Sequence, residues 1–162
     1  MGLRAMLNKK GMTLIEVMVA LVVLLLVALA MMQTALLSID SNMISALRDQ
    51  ALKLAETRMN NAKGTTFSKL SSGSQTDTGA LDPGICSATL RAKMQGVMGA
   101  IGSANNGQVV TASVRSMPSF NYCTNVTAQN LNPNNVIINV TVGWTWQGQD
   151  YVHNIGTIVG NL

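Results

Sequence analysis

Residues 9–32 read KKGMTLIEVMVALVVLLLVALAMM, and this stretch decides how the chain is organised. Two lysines and a glycine stand directly before an apolar run in which Glu16 is the one ionisable side chain. A charged side chain at the middle of a bilayer costs on the order of 2.5–3.5 kcal/mol, and less near a helix end. Glu16 therefore requires an explanation, which the rest of the chain has to supply.

The 162-residue chain is poor in charge, with 11 % charged and 48 % hydrophobic residues. About a hundred residues follow the N-terminal helical region, enough for one small domain. Arg4, Lys9 and Lys10 precede the apolar run with no acid to offset them, which predicts that the N-terminus stays in the cytoplasm. The remaining charges nearly balance, so we expect no nucleic-acid partner.

One long helix is predicted for residues 12–63, because these residues include neither glycine nor proline. Its first half, to about Leu37, is apolar all round and long enough to span a bilayer. Its second half is amphipathic, and Gly64 supplies a C-terminal stop. The predicted buried face of that half consists of Ile44, Leu47, Ala51, Leu54 and Ala62.

The part that follows is predicted to begin as a loop and a short helix. Residues 65–84 are punctuated by serine, glycine and proline, which indicates a loop. A helix is predicted for about residues 87–101, although Gly96 and Gly99 weaken it. Its apolar side would contain Leu90, Met94, Val97, Met98 and Ile101.

The C-terminal part is predicted to be β-structure. Residues 109–115 form a candidate strand, whereas residues 121–135 are crowded with asparagine and are predicted to be a loop. Residues 136–146 alternate between apolar and small or polar side chains, which predicts one buried face and one wet face at positions 139, 141, 143 and 145. Residues 147–150 form a hairpin loop, and residues 151–159 return as the partner strand.

These elements predict an α+β fold in which the amphipathic half of the long helix packs against a small antiparallel β-sheet. Trp144 and Trp146 lie two residues apart and so share one face, where core packing is favoured over an exposed ligand-binding patch. Cys86 and Cys123 form a disulfide or remain two separate buried thiols; the disulfide is favoured because the intervening segment is rich in glycine, asparagine and serine.

Motifs for catalysis and cofactors are absent from the sequence. His153 is the single histidine, so it is interpreted as a strand residue rather than a catalyst or metal ligand. The acids do not have calcium-loop spacing, the serines lie in no nucleophile elbow, and no phosphate-binding glycine motif occurs. We therefore expect a protein that is not an enzyme and holds no metal or cofactor.

The string KKGMTLIEVMVAL, residues 9–21, resembles the processing site of type IV pilins and type II secretion pseudopilins. The resemblance implies cleavage after Gly11 by a prepilin peptidase and N-methylation of Met12, where most pilins have phenylalanine. It divides the chain into four segments: a cleaved leader (1–11), a transmembrane and filament-core helix half (12–37), an amphipathic helix half (38–63) and a periplasmic α+β head (64–162).

The family also implies a role for Glu16. About one helical turn separates it from Met12, and the positively charged terminal amine of a neighbouring subunit could stabilise its carboxylate and set the register of assembly. The alternative is an interfacial glutamate near the helix start, which the helix dipole alone favours.

Within the family, the C-terminal string VTVGWTWQGQDY most resembles PilV-type minor pilins, so a minor pilin is the expected function. A type II secretion minor pseudopilin is the second reading, and an unprocessed bitopic membrane protein with a periplasmic ligand-binding head is the third. The expected partners are other pilins or pseudopilins, the prepilin peptidase, the bacterial inner membrane and the assembly platform. The head would face the periplasm before assembly and lie on the pilus at the cell surface afterwards.

Overall fold

The computed structural model describes residues 13–71, 77, 79–99, 102–115 and 117–161. These residues form the predicted α+β fold, with a long N-terminal helix and a four-stranded antiparallel sheet. The helices are α1 (Leu14–Lys63), α2 (Phe67–Ser71) and α3 (Ala88–Met98). The strands are β1 (Gln108–Val114), β2 (Met117–Asn132), β3 (Asn135–Trp146) and β4 (Gln149–Gly160).

The chain divides into two compact units, Met1–Asn42 and Met43–Leu162. The described part of the first unit is helical from Leu14 onward and belongs to α1. The second unit, which we call the head unit, contains the rest of α1, the two short helices and the sheet. Residues 43–63 are therefore part of the same compact body as the sheet.

In the head unit, α1 buries one face against the sheet. Its buried residues are Leu47, Ala51, Ala55, Met59 and Ala62, at the three- and four-residue spacing of a helix face. Three of the five predicted positions are thus buried, while Ile44 and Leu54 are half-buried at the margin. The sheet supplies alternate residues of β3 to the same cluster: Val136, Ile138, Val140, Val142 and Trp144.

The sheet has the order β1-β2-β3-β4, and every pairing is antiparallel. The predicted loop at residues 121–135 is wrong, because most of it belongs to β2, the longest strand. Residues 122–127 are all buried, since β1 and β3 pair with β2 on either side and both faces of the sheet are covered. Tertiary pairing has overridden the low strand propensity of asparagine here.

The second face of the sheet is also covered. The prediction that positions 139, 141, 143 and 145 form a solvent-exposed face is therefore wrong in part. Thr141 and Gly143 are buried, whereas Asn139 is half-buried and Thr145 is exposed. The cause is α3, which packs over β3 and β4. We call this side the α3 face; its cluster comprises Leu81, Cys86, Leu90, Met94, Met98, Ala104 and Cys123.

Three smaller predictions also need correction. The short helix α2 lies inside the predicted loop 65–84. Helix α3 ends at Met98, its Val97 is 51 % exposed, and Ile101 lies outside the described residues. The predicted four-residue hairpin loop is a two-residue turn, Gln147-Gly148, with φ values of 48° and 76° that match a type I′ turn.

Candidate assembly site

The start of α1 is built from Thr13 and Glu16. The backbone N–H of Glu16 donates to the Thr13 carbonyl at 3.0 Å and lies 3.4 Å from the Thr13 hydroxyl oxygen. Threonine before the first helical residue and glutamate three positions later is the sequence pattern of a capping box. Glu16 therefore lies in the first turn, where the helix dipole favours a negative charge.

The Glu16 carboxylate is exposed and is surrounded along the chain by exposed apolar residues. Arg58 and Asp77 form an ion pair in the head unit, whereas Glu16 is not paired with a cation among the described residues. Gly11 and Met12, predicted as the processing site, lie outside the described residues, as do Lys9 and Lys10. The predicted pairing of Glu16 with the Met12 amine thus stays a prediction.

The described part of the first unit presents a largely apolar surface. From Leu14 to Ile39 its large apolar side chains are exposed, from 42 % for Val17 to 79 % for Leu14. Helix α1 is long and apolar enough to cross a membrane. Its Thr34 hydroxyl donates to the Met31 carbonyl at 2.8 Å, which satisfies a polar group that would be costly in hydrocarbon. Such a surface requires lipid or other apolar helices around it.

The head unit carries a disulfide between Cys86 and Cys123, whose Cα atoms are 6.0 Å apart. The bond joins the segment before α3 to β2, and both cysteines are buried in the cluster on the α3 face. The sequence left open a disulfide or two separate buried thiols, and the structure contains the disulfide.

The two tryptophans occupy different positions on the same face. Trp144 is buried and stacks on Tyr151, with ring centroids 5.6 Å apart. Trp146 is half-buried beside Phe120, at 6.3 Å. His153 is half-buried on β4 opposite Val142.

Buried Tyr122 ties the sheet to α1. Its hydroxyl donates to the Leu47 carbonyl at 3.1 Å. Burial removes water from the phenol and raises the pKa of Tyr122 to about 12. Nothing in the sequence pattern singled out this tyrosine, because it lies in the segment predicted to be a loop.

A polar junction that the sequence did not predict fixes the segment before α3. Arg58 Nη2 lies 2.6 Å from Asp77 Oδ2, which also accepts a hydrogen bond from the Val126 backbone N–H at 2.8 Å. Arg58 donates as well to the Gln108 side chain at 2.7 Å. Arg58 and Asp77 are 19 residues apart, so no helical or strand period could have linked them.

The described residues hold no group of three histidine, cysteine, aspartate or glutamate side chains that could bind a metal ion. The exposed apolar part of α1 and the charge in its first turn are the features to which the sequence motif points.

Comparison with known proteins bears on this same segment. Residues 6–32 match the family model described as the prokaryotic N-terminal methylation motif. Comparisons with curated proteins and with solved structures find no match to the chain. The matched residues include Gly11, Met12 and Glu16 and extend into the exposed apolar part of α1. The match covers 27 of the 162 residues, so what it shows is an N-terminal methylation motif at the start of the chain.

Proposed function

We propose that the protein is a minor type IV pilin, a structural and non-enzymatic subunit that takes part in assembling or initiating a pilus. One observation carries the proposal: the methylation motif at residues 6–32 overlaps the first part of α1, whose large apolar side chains are exposed from Leu14 to Ile39 and whose one charge before Asp40 is Glu16. An anchor alone would not need a carboxylate in that position.

Processing comes first in this proposal. A prepilin peptidase of the inner membrane cleaves after Gly11, and the new N-terminus at Met12 is methylated. The apolar part of α1 holds the subunit in the membrane with the head in the periplasm. The same surface then packs among the helices of other subunits on the assembly platform.

This transfer moves apolar side chains from lipid into a bundle of apolar helices, so the hydrophobic effect changes little between the two states. The axial register between neighbouring subunits must then come from more directional interactions. The Glu16 carboxylate, which has no cation partner among the described residues, would pair with the Met12 amine of a neighbouring subunit. A charge that is costly in hydrocarbon thereby favours one axial position.

Methionine at position 12, where most pilins have phenylalanine, supports a minor rather than a major subunit. A type II secretion minor pseudopilin rests on the same helix and motif. Deleting the gene distinguishes the two: a minor pilin deletion removes pili and leaves secretion intact, whereas a pseudopilin deletion does the reverse.

Mass spectrometry of the membrane fraction tests the common basis of both candidates. We expect a mature chain that begins at Met12 and carries one added methyl group on its terminal amine. A Gly11→Ala variant serves as the control and should keep residues 1–11. Detection of the uncut, unmethylated wild-type chain would instead indicate a bitopic membrane protein that never assembles.

A further inference from the structure

Among the described residues, strand β4 has a long edge with which no further strand pairs. Strand β4 lies at the end of the sheet order and pairs with β3 over its whole length without a register shift. Between Tyr151 and Gly160 its sequence has no Asp, Glu, Lys, Arg or Pro, the residues that usually prevent strands from joining such an edge. Ile158 is 61 % exposed on it.

Alternate residues of β4 direct their backbone N–H and C=O groups towards the edge. The Asn161 N–H donates to the Asn134 carbonyl at 2.8 Å, so odd-numbered residues of β4 face β3 and even-numbered residues turn their N–H and C=O outward. Carried across the ladders, the same alternation turns Val109 and Thr111 of β1 outward at the opposite edge. The Val126 N–H, which points to that side and bonds Asp77, agrees with it.

The two edges are complementary for copies in the same orientation. Three successive antiparallel pairings make β1 antiparallel to β4. Two like-oriented copies side by side therefore bring β4 of one against β1 of the other as an antiparallel pair. The outward groups of Asn154 and Gly156 then meet those of Thr111 and Val109 in the second copy, and both sheets keep their α1-covered faces on the same side.

One register of this pairing brings two opposite charges to the same end of the strands. Asp150 stands near the start of β4, and exposed Arg115 follows the end of β1. Antiparallel pairing brings these opposite charges to the same end, and with them aligned all of β1 lies alongside β4. Within one sheet, Val109 of β1 lies level with Val152 of β4. In the pairing between copies, Ser113 of the second copy would lie level with Val152 instead. The stagger between copies is thus four residues, about 13 Å along the strand.

We propose that the β4 edge of one copy binds the β1 edge of a second, like-oriented copy, with Asn154 opposite Thr111 and Asp150 beside Arg115. The contact is head-to-tail and leaves a free edge at each end, so it can repeat. It rests on the proposed function in so far as a common membrane or filament gives the copies a common orientation.

Disulfide crosslinking of the full-length chain in membranes tests this pairing. One tagged copy carries Asn154→Cys and a differently tagged copy carries Thr111→Cys. Directly opposite residues of a hydrogen-bonded pair have Cα atoms about 5.5 Å apart, within disulfide range. We expect a doubly tagged dimer after mild oxidation. The control pairs Thr111→Cys with Val97→Cys, an exposed position on α3, and should give none.

A charge swap provides the second measurement. Arg115→Glu in the Thr111→Cys copy should lower the crosslink yield severalfold, and Asp150→Lys in the other copy should restore it. Absence of the 154–111 product, an equal yield of 154–154 dimers, or crosslinking of position 154 to a different protein would each overturn the edge pairing. The N-terminal mass of the same samples is scored separately: an uncut chain counts against the pilin proposal, whereas a processed chain without the crosslink counts against the edge pairing alone.

Discussion

A single carboxylate carries most of the proposed assembly chemistry. Glu16 lies in the first turn of α1, where the Thr13 cap and the helix dipole already favour its charge, so its presence does not impair the helix. Its proposed contribution concerns contact with another subunit. Local stability and assembly can therefore be separated by mutation.

Glu16→Ala should insert into the membrane and be processed normally but enter filaments poorly. The neighbouring amine would be left unpaired in an apolar bundle, a loss of about 3–5 kcal/mol when one partner of a buried pair is removed. The ratio of sheared filament to membrane-bound protein, measured by immunoblot, reports the effect. Glu16→Gln is the matched control for side-chain size and should fail similarly. Wild-type incorporation of either variant would contradict the pairing.

Tyr122 predicts how the head responds to alkaline pH. Its pKa is raised by burial from 10.0 to about 12, so the folded head keeps the phenol proton to higher pH than the unfolded chain does. This contribution to stability is complete below pH 10 and is lost as the pH rises towards 12. Urea unfolding followed by tryptophan fluorescence should show a decline across that range.

Tyr122→Phe should reduce that decline, because the ionisable group is gone. It should also lower the free energy of unfolding by about 1 kcal/mol at neutral pH through the lost hydrogen bond to the Leu47 carbonyl. An unchanged alkaline slope in this variant would show that another group is responsible.

At the scale of elements, the disulfide holds α3 and its preceding segment to the sheet. The bonded cysteines are 37 residues apart, and closing a loop of that size in the unfolded chain is worth about 4 kcal/mol on the chain-entropy model. The double variant Cys86→Ala, Cys123→Ala should lose a large part of this value in urea unfolding. Wild-type protein under reducing conditions is the control, and full stability in both cases would refute the estimate.

Close packing of α3 on β3 depends on Gly143. A Cβ at this position would lie 2.8 Å from Met94 Sδ and 3.0 Å from Leu90 Cδ1. Gly143→Ala should therefore destabilise the head by about 1–3 kcal/mol. Gly96→Ala is the matched control, because nothing lies within 4 Å of its Cβ and alanine favours a helix by about 0.8–1 kcal/mol. Equal effects of the two variants in thermal unfolding would contradict this packing.

The elements that the sequence predicted well are those whose patterns follow from local rules. Helix α1 has no breaker before Gly64, and β3 alternates in apolar character, so both were located within a few residues. Strand β2 was missed because asparagine-rich residues disfavour strands until two neighbours pair with them. The prediction of a solvent-exposed face was wrong at Thr141 and Gly143, because the sequence of β3 does not indicate that α3 covers this face.

The candidate site, like the fold, was predictable only where it depends on residues that are contiguous in the sequence. The motif from Lys9 to Val17 is contiguous and could be recognised directly, and the match at residues 6–32 agrees with it. The Arg58–Asp77 junction and the Tyr122 contact join residues far apart in sequence, so only the folded structure reveals them.

At the scale of the whole molecule, the two units require different surroundings. The first needs an apolar environment along its exposed helix, whereas the head unit has its own core between α1 and the sheet. This division suits a subunit that changes surroundings at one end while the other end keeps its fold. The proposed edge pairing would add a contact between heads to the contact between helices.

In the proposed periplasmic location, the bond between Cys86 and Cys123 would also make the stability of the head depend on its compartment. Thiols stay reduced in the cytoplasm and become oxidised outside it. A head still inside the cell would lack its crosslink and remain easier to unfold for passage through a translocation channel. Once across, oxidation would make return less favourable, so the same pair of sulfur atoms would give export a direction.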